Sequence, residues 1–456
     1  MSDAMDLKGK RVLVVGLGKS GVSAALYLRK LGARVTVSDT RTSEALAKEI
    51  PALLDAGVMV ETGGHGVLTF RRQDLIVLSP GVPVSTPEVQ QSQRFGVPII
   101  GEVELASLAL QGKIIAITGS NGKTTTTSLV GHILLHAGYE TKIGGNIGLP
   151  VVEMVQDSTE KTWSVLEVSS FQLETIETFR PHIAAVLNIT PDHLDRHGSF
   201  DNYAAAKARV TENQTAEDFL VLNAEDKPTQ MVAAKTKAQI FWFSGVRRVK
   251  QGAFAHNDGI YFIAKEGGNP EPIMPLAEIP LRGAHNVENV LAAIAMAKLA
   301  GIPTDEIREA VASFTAVDHR LQFVAKKRGV EYYNDSKATN VDATIKALES
   351  FPSGIRIILG GKDKASDYTQ LLPLLKERTV AVYTIGAAAD IIAKQIGDQV
   401  KLTPAGTLAE AVRLAAESAQ PKETVLLAPA CASFDQFTSY EHRGRVFVEL
   451  VHNLPN

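Results

Sequence analysis

Gly119-Ser120-Asn121-Gly122-Lys123-Thr124-Thr125 sets a lysine and a hydroxyl directly behind a glycine-rich turn. Ile114 to Ile117, just before it, form an apolar run of the length of a buried strand. Behind it Leu129, Val130, Ile133 and Leu134 keep helical spacing. Strand, glycine turn and helix together make a phosphate site: the glycines let backbone N–H groups converge on an anion, and the helix N-terminus adds partial positive charge. Lys123 would reach the β- and γ-phosphates of a nucleoside triphosphate, and the Thr124 hydroxyl would ligate Mg²⁺. The common spacing G-x-x-x-x-G-K-[ST] asks for glycine where this chain has Ile117. A plain turn with a solvated lysine is the competing reading. The agreement of strand, turn, Lys-Thr and helix favours the nucleotide.

Other residues could do chemistry too. Gly16, Gly18 and Gly21 follow an apolar strand that begins at Arg11, and Asp39 stands about 20 residues further on. Alone, that fingerprint puts Asp39 on a ribose hydroxyl of NAD, although the same βαβ unit holds other nucleotides. Ser79-Pro80-Gly81-Val82-Pro83 follows another strand and reads either as a ligand loop or as a rigid turn. Glu167 ends the strand Ser164 to Val168, a place from which a carboxylate can hold Mg²⁺. An exposed carboxylate fits poorly beside Val165, Leu166 and Val168. Asp192-His193-Leu194-Asp195-Arg196-His197 gathers two histidines and two aspartates past a strand end. Metal binding, catalysis and a solvated loop all remain open there. Lys207, in a helix of small residues, reads by itself as an ordinary surface lysine.

These residues need a frame. A chain of 456 residues predicts about three domains. Its 45% hydrophobic and 21% charged residues are those of a globular protein, and a net charge of −3 offers no nucleic-acid surface. Cys431 is the single cysteine, so no intramolecular disulfide is expected and a core role suits it. No apolar leader precedes Val12, and no run approaches the ~20 residues of a membrane span, so a cytoplasmic chain is expected. Strands alternating with helices predict an α/β protein with doubly wound parallel sheets. The expected boundaries are 1–110, 111–314 and 315–456: a Rossmann-like domain, a central P-loop ATPase-like domain and a second Rossmann-like domain. The three α/β segments are too dissimilar to be an internal repeat.

In this order the motifs resemble the Mur ligases, the ATP-dependent amide ligases that build the peptidoglycan peptide stem. The likeness covers essentially the whole chain. It rests on Gly-Ser-Asn-Gly-Lys-Thr-Thr (119 to 125), Gly-Gly-Asn-Ile-Gly (144 to 148), Glu-Val-Ser-Ser-Phe-Gln-Leu (167 to 173) and Asp-His-Leu-Asp-Arg-His (192 to 197). Asn-Asp-Ser-Lys-Ala-Thr-Asn (334 to 340) and Ala-Cys-Ala-Ser-Phe-Asp-Gln-Phe (430 to 437) complete it. The family's phosphate loop also lacks the first glycine, which accounts for Ile117. Ser-Ser-Phe-Gln-Leu and Asp-Ser-Lys-Ala-Thr-Asn resemble the branch that adds D-glutamate to UDP-N-acetylmuramoyl-L-alanine through an acyl phosphate.

The resemblance implies roles. ATP would lie on Gly119, Ser120, Asn121, Gly122, Lys123, Thr124 and Thr125, with adenine at Asn286 and Asn289, ribose at Asp335 and phosphates at Arg320. Two Mg²⁺ ions are implied, on Thr124 and Glu167, on His193, and on Lys207 as a carbamate. Lys123, His193, Lys207 and Arg320 would be catalytic. The first domain then binds UDP and not NAD: Leu17, Gly18, Lys19 and Ser20 at the diphosphate, Asp39, Thr40 and Gly81 at the uracil end, with Arg41 and Asn146 also on this substrate. Thr339, Lys364, Ser433, Phe434 and Tyr440 match D-glutamate positions. Lys362-Asp363-Lys364 varies in its first residues among relatives, so either lysine could meet the glutamate, and Tyr440 stands where some relatives have Phe. The implied partners are the two small-molecule substrates, with no nucleic acid, no membrane insertion and a monomeric chain. The rivals are a sister ligase, a folylpolyglutamate synthase (which lacks the UDP-binding unit), an NAD-dependent dehydrogenase and a nucleotide-switched binding module.

Overall fold

The computed structural model describes residues 6–315 and 317–455. Three sheets organise them. The first holds β1 (Arg11–Val15), β2 (Arg34–Asp39), β3 (Met59–Thr62), β4 (Leu75–Leu78) and β5 (Ile99–Gly101) in the order β3-β2-β1-β4-β5. All its pairings are parallel, with Val12 opposite Val35 on one side and Leu75 on the other. Val12, Leu13, Val14 and Val15 are wholly buried, as a strand covered on both faces requires.

The second sheet contains β6 (Lys113–Thr118), β7 (Thr141–Gly145), β8 (Trp163–Glu167), β9 (Ile183–Val186), β10 (Phe219–Asn223), β11 (Gln239–Ser244), β12 (Gly252–His256), β13 (Gly259–Ile263) and β14 (Glu271–Pro275). Their order is β14-β13-β12-β11-β10-β9-β6-β8-β7, which sets the phosphate-loop strand β6 between β8 and β9. Ile117 lies opposite Glu167 on one side and Ala185 on the other. The ends of these neighbouring parallel strands therefore open on one edge, where ligands of α/β sheets bind. β12 and β13 form an antiparallel hairpin.

The third sheet joins β15 (Gln322–Lys327), β16 (Val330–Asn334), β17 (Ile355–Gly360), β18 (Thr379–Ile385), β19 (Leu402–Gly406) and β20 (Thr424–Leu427) in the order β15-β16-β20-β17-β18-β19. It is parallel except at its edge, where β15 runs antiparallel to β16. The α/β architecture with three sheet-bearing regions is the one expected.

The chain divides into two compact units. One comprises the residues up to Met274 with Val290–Ala310; the other comprises Pro275–Asn289 and the residues from Val311 onward. The division falls within helix Ala284–Leu299. In the first unit, buried Glu104 joins the two sheets' elements. It accepts from the backbone N–H groups of Glu177 (2.9 Å), Thr178 (2.8 Å) and Phe179 (3.0 Å) and from the Thr178 hydroxyl. In the second unit, Arg282 lies over the Tyr333 ring at 5.1 Å and 3.7 Å from Glu331, which ties the segment from Pro275 to the third sheet. Among the described residues no helix is long and apolar enough to cross a membrane.

Candidate active site

β6 delivers its chain into Gly119–Gly122, and helix Lys123–His136 begins at once. Gly122 has φ 84°, a conformation that glycine takes without strain and that turns the chain sharply into the helix. Asn188, just past β9, clasps this loop: its Oδ1 accepts from Asn121 N–H (2.8 Å) and its Nδ2 donates to Asn121 O (3.1 Å). Ser120 adds a reciprocal pair with Thr190, accepting from its N–H and donating to its carbonyl, both at 2.9 Å.

Lys123 folds back over the loop, donating to Gly119 O (2.9 Å) and Ser120 O (3.0 Å). Thr124 Oγ1 donates to Glu167 Oε2 at 2.7 Å, and Asn146 Nδ2 donates to Glu167 Oε1 at 2.8 Å. Glu167 is buried at the end of β8. A hydroxyl and a carboxylate side by side are hard oxygen donors of the kind Mg²⁺ takes, and Mg²⁺ commonly completes its shell with phosphate and water. Among the described residues no group of three or more His, Cys, Asp or Glu is placed to hold a metal ion. Two donors are fewer than Mg²⁺ takes, so the pair suits an ion shared with a phosphate.

Lys207 is no surface lysine. It is 1% exposed, donates to Gly119 O at 2.7 Å and lies 4.6 Å from the Tyr203 ring centroid. Burial drives it well below the ordinary lysine range; the Lys123 charge adds to this, and Asp192 and Glu167 oppose it. Structure overrides the local pattern because helix Phe200–Ala208 turns this face to the phosphate loop. His193 opens helix Leu194–His197 with φ 53°. Its ring meets Phe171 edge-on at 5.0 Å, and its Nε2 lies 3.7 Å from Asp192.

A cavity of about 500 Å³ opens beside the first glycine turn. Leu17 to Ser20, Asp39 to Arg41, Gly81 and Asn146 all line it, so the structure gathers the whole set expected for the UDP-linked substrate. Gly21 is needed because a Cβ there would fall 1.9 Å from Gly16 O. Lys19 Nζ donates to Gly148 O (2.7 Å), and both residues line the cavity. Both carboxylate oxygens of Asp39 are taken: Leu17 N–H donates at 2.7 Å, and Arg41 binds through its backbone and guanidinium. Burial alone would lift this carboxyl, but the Arg41 and Leu17 bonds prevail and hold it at about 2. Asp39 is therefore a tie between β2 and the glycine turn as well as a cavity wall.

Family models match along the chain: the Mur ligase MurD-like N-terminal domain at residues 10–101, the Mur ligase middle domain at 117–297 and the Mur ligase glutamate ligase domain at 319–431. The UDP-N-acetylmuramoylalanine–D-glutamate ligase of Acidobacterium capsulatum is 63% identical over 98% of this chain and 97% of its own length. The chain belongs to the Mur ligase family. The ligase of the same name from Koribacter versatilis is 58% identical over 99% of both chains. The MurF ligase of Thermotoga maritima, solved in complex with ADP, shares the fold with a TM-score of 0.61 at 16% identity over 99% of both chains.

The second unit of this Mur ligase holds the remaining candidates. Asn286 and Arg320 share a cavity of about 400 Å³ with Arg282, Phe323 and Tyr333. Asn289 stands beside it, donating to Asn286 Oδ1 at 3.0 Å. Asp335 is buried and accepts from Leu321 N–H (3.2 Å); burial lifts it to about 7 against that bond and the Arg320 charge. Thr339, Lys364 and Ser433 lie in the loops that leave β16, β17 and β20, three adjacent strands. Lys362 pairs with Ala432 through both backbone groups, which brings the second and third loops together. Ser433 is buried, whereas Phe434 and Lys364 are exposed. Lys337 lies over the Tyr440 ring at 3.8 Å. Asn188 and Arg443 escaped the sequence reading. Neither carries a local signal: Asn188 meets the phosphate loop 67 residues away through the β6–β9 pairing, and Arg443 reaches Ser336 107 residues away.

Proposed function

We propose that this Mur ligase joins D-glutamate to UDP-N-acetylmuramoyl-L-alanine with consumption of ATP. The observation that carries the reading is the near full-length 63% identity to a UDP-N-acetylmuramoylalanine–D-glutamate ligase, met by a phosphate loop with its lysine and hydroxyl in place. The L-alanyl carboxylate attacks the γ-phosphorus and ADP leaves. The D-glutamate amine then attacks the acyl carbon, loses a proton and expels phosphate as the amide forms. Mg²⁺, when bound, supplies charge neutralisation between the anionic carboxylate and the triphosphate.

The chain's own groups do the rest. The loop amides after β6 cradle phosphate, and Lys123 leaves the Gly119 and Ser120 carbonyls to follow charge onto the transferred group. Thr124 and Glu167 would hold one Mg²⁺ and His193 a second, with Lys207 as a carbamate supplying anionic oxygen near them. Asn286, Asn289, Asp335 and Arg320 take the nucleotide, and Thr339, Lys364, Ser433, Phe434 and Tyr440 take D-glutamate. The cavity at Gly18 and Asp39 receives the UDP end. In this reading the chain works as a cytoplasmic monomer with domains at 1–110, 111–314 and 315–456.

The test is ADP release on mixing the protein with ATP, UDP-N-acetylmuramoyl-L-alanine and each candidate amino acid. D-Glutamate is expected to give product and L-glutamate is not: with both carboxylates held, inversion at Cα swings the amine away, and misplacement by ~1 Å can cost ~100-fold. Product only with L-lysine or meso-diaminopimelate would favour a sister ligase.

A further inference from the structure

Arg196 carries contacts that none of the roles above uses. Its side chain is 15% exposed. Nη2 donates to Val82 O (3.2 Å) and to Glu174 Oε2 (3.1 Å), and Nη1 reaches Gly81 O at 3.4 Å. The guanidinium also lies over the Phe171 ring, 4.5 Å from its centroid. Gly81 and Val82 wall the 500 Å³ cavity, and Val82 packs where a Cβ on Gly16 would stand, 2.7 Å from its Cγ2. On the other side, Phe171 stacks on His197 (5.4 Å) and meets His193 edge-on. His197 is anchored in turn, with Nδ1 3.3 Å from Glu174 Oε1 and Nε2 3.0 Å from Ser170 Oγ. One planar group thus bonds the cavity wall, a carboxylate and the aromatic platform that seats His193.

We infer that Arg196 is a positioning residue that fixes the Gly81–Val82 wall to the turn carrying His193, and thereby sets affinity for the UDP-linked substrate. The inference rests on the proposed function. The physical ground is geometric: the loop contributes only backbone carbonyls, which need a donor with several fixed directions. A lysine would keep the charge, but it cannot bond two carbonyls and a carboxylate while lying flat on Phe171. Without that fork the wall keeps only its packing and the bond from Val82 N–H to Ser79 O (2.9 Å), and small displacements of a binding wall are costly.

The experiment compares the full-length wild type with Arg196→Lys and Glu174→Gln. Calorimetry reads uptake of UDP-N-acetylmuramoyl-L-alanine, steady-state ADP release reads KM for each substrate, and thermal unfolding reads stability. Arg196→Lys is expected to raise the Kd and KM for the UDP substrate roughly tenfold while KM for D-glutamate stays within about twofold. Glu174→Gln, which loses the charge that orients the guanidinium, is expected to shift the same constants in the same direction by less. Equal uptake by wild type and Arg196→Lys, with only the Tm lowered, overturns the inference and leaves Arg196 a structural strut. If the wild type takes up no UDP sugar, the proposed function falls and the inference falls with it.

Discussion

Lys123 and Lys207 donate to the same oxygen, the Gly119 carbonyl, at 2.9 and 2.7 Å. Two ammonium groups on one carbonyl repel, and the buried partner is the one that yields. Burial, with the Lys123 charge added, holds Lys207 well below the usual lysine range. A neutral amine is the form that attacks CO₂, forming an N–C bond and losing a proton to leave an anionic carbamate. Wild-type protein in ¹³C-bicarbonate is expected to show a carbamate signal that Lys207→Ala lacks. The variant should lose ligase activity and regain part of it with acetate, which restores anionic oxygens near the phosphate loop. An unchanged spectrum, together with no rescue, would count against carbamylation.

Lys123→Ala is expected to fold normally, because the side chain is only part-buried and Gly119 O keeps its Lys207 donor. Losing its charge from a developing phosphate transition state should cost several kcal/mol, at least ~100-fold in turnover. Steady-state ADP release at saturating substrates checks this, and wild-type turnover would be the opposing result.

How far the sequence spoke depended on how local each signal was. β6 and β1 each carry a short buried apolar run, Ile114 to Ile117 and Val12 to Val15, and were legible as such. β7 was missed: Thr141, Lys142 and Ile143 are only half-buried, and Gly144 and Gly145 read as a connection although they end the strand. β15 was missed for the same reason, since an exposed antiparallel edge shows no apolar run. Motif residues such as Lys123, Thr124 and Glu167 announced themselves by type and position. Asn188 and Glu104 could not, because their partners lie 67 and 73 to 75 residues away in the chain. The ordinary-looking Lys207 depended on a helix docking 88 residues from Gly119.

Glu102 gives a pH-dependent prediction. It is 2% exposed; Oε1 accepts from Val152 N–H at 2.8 Å, and Oε2 has no hydrogen-bond partner. Burial lifts its carboxyl to about 7, with the Glu153 charge adding and the Val152 and Val151 backbone groups opposing. In the unfolded chain a glutamate titrates near ~4.3, so between there and about 7 only the folded state keeps the proton. Stability contributed by this site therefore falls as pH rises through that window. Glu102→Gln keeps the Val152 bond without the charge, and should match wild type near about pH 5 and exceed it near about pH 8 by on the order of 2–3 kcal/mol. Asp335 adds a slope of the same sign to both proteins, so the difference in Tm between them isolates Glu102. Parallel Tm profiles would refute the assignment.

Arg443 is wholly buried and forms no salt bridge among the described residues; burial pushes it down to about 10, with Cys431 and Asp435 opposing. It donates to Ser336 Oγ (2.9 Å), Ser336 O (2.8 Å) and Cys431 O (3.1 and 3.2 Å), knitting together two of the three loops that carry the D-glutamate candidates. Arg443→Lys cannot span both loops and leaves buried carbonyls without donors, at a cost of about 1–3 kcal/mol. A lowered Tm and a raised KM for D-glutamate, with KM for the UDP substrate unchanged, are the expected readouts; loss of stability alone would make the residue purely architectural.

Lys362 and Lys364 can be separated on the same ground. The Lys362 backbone is committed to Ala432, and the Asp363 carboxylate accepts from the Tyr368 hydroxyl (2.7 Å) and Ala365 N–H (2.9 Å). Ala365 follows at φ 56°, so the loop turns sharply just after Lys364. A pinned loop with its lysine at the bend can aim an ammonium at a carboxylate at little further entropic cost. Lys364→Ala is expected to raise KM for D-glutamate about tenfold or more, as loss of a charge-assisted bond requires, and to leave KM for ATP within about twofold. Lys362→Ala should change neither by more than about twofold, because an exposed lysine contributes little where its backbone does the holding. Steady-state kinetics of both variants with D-glutamate varied against saturating ATP decides between the two lysines: an effect confined to Lys362→Ala would move the carboxylate contact to that residue.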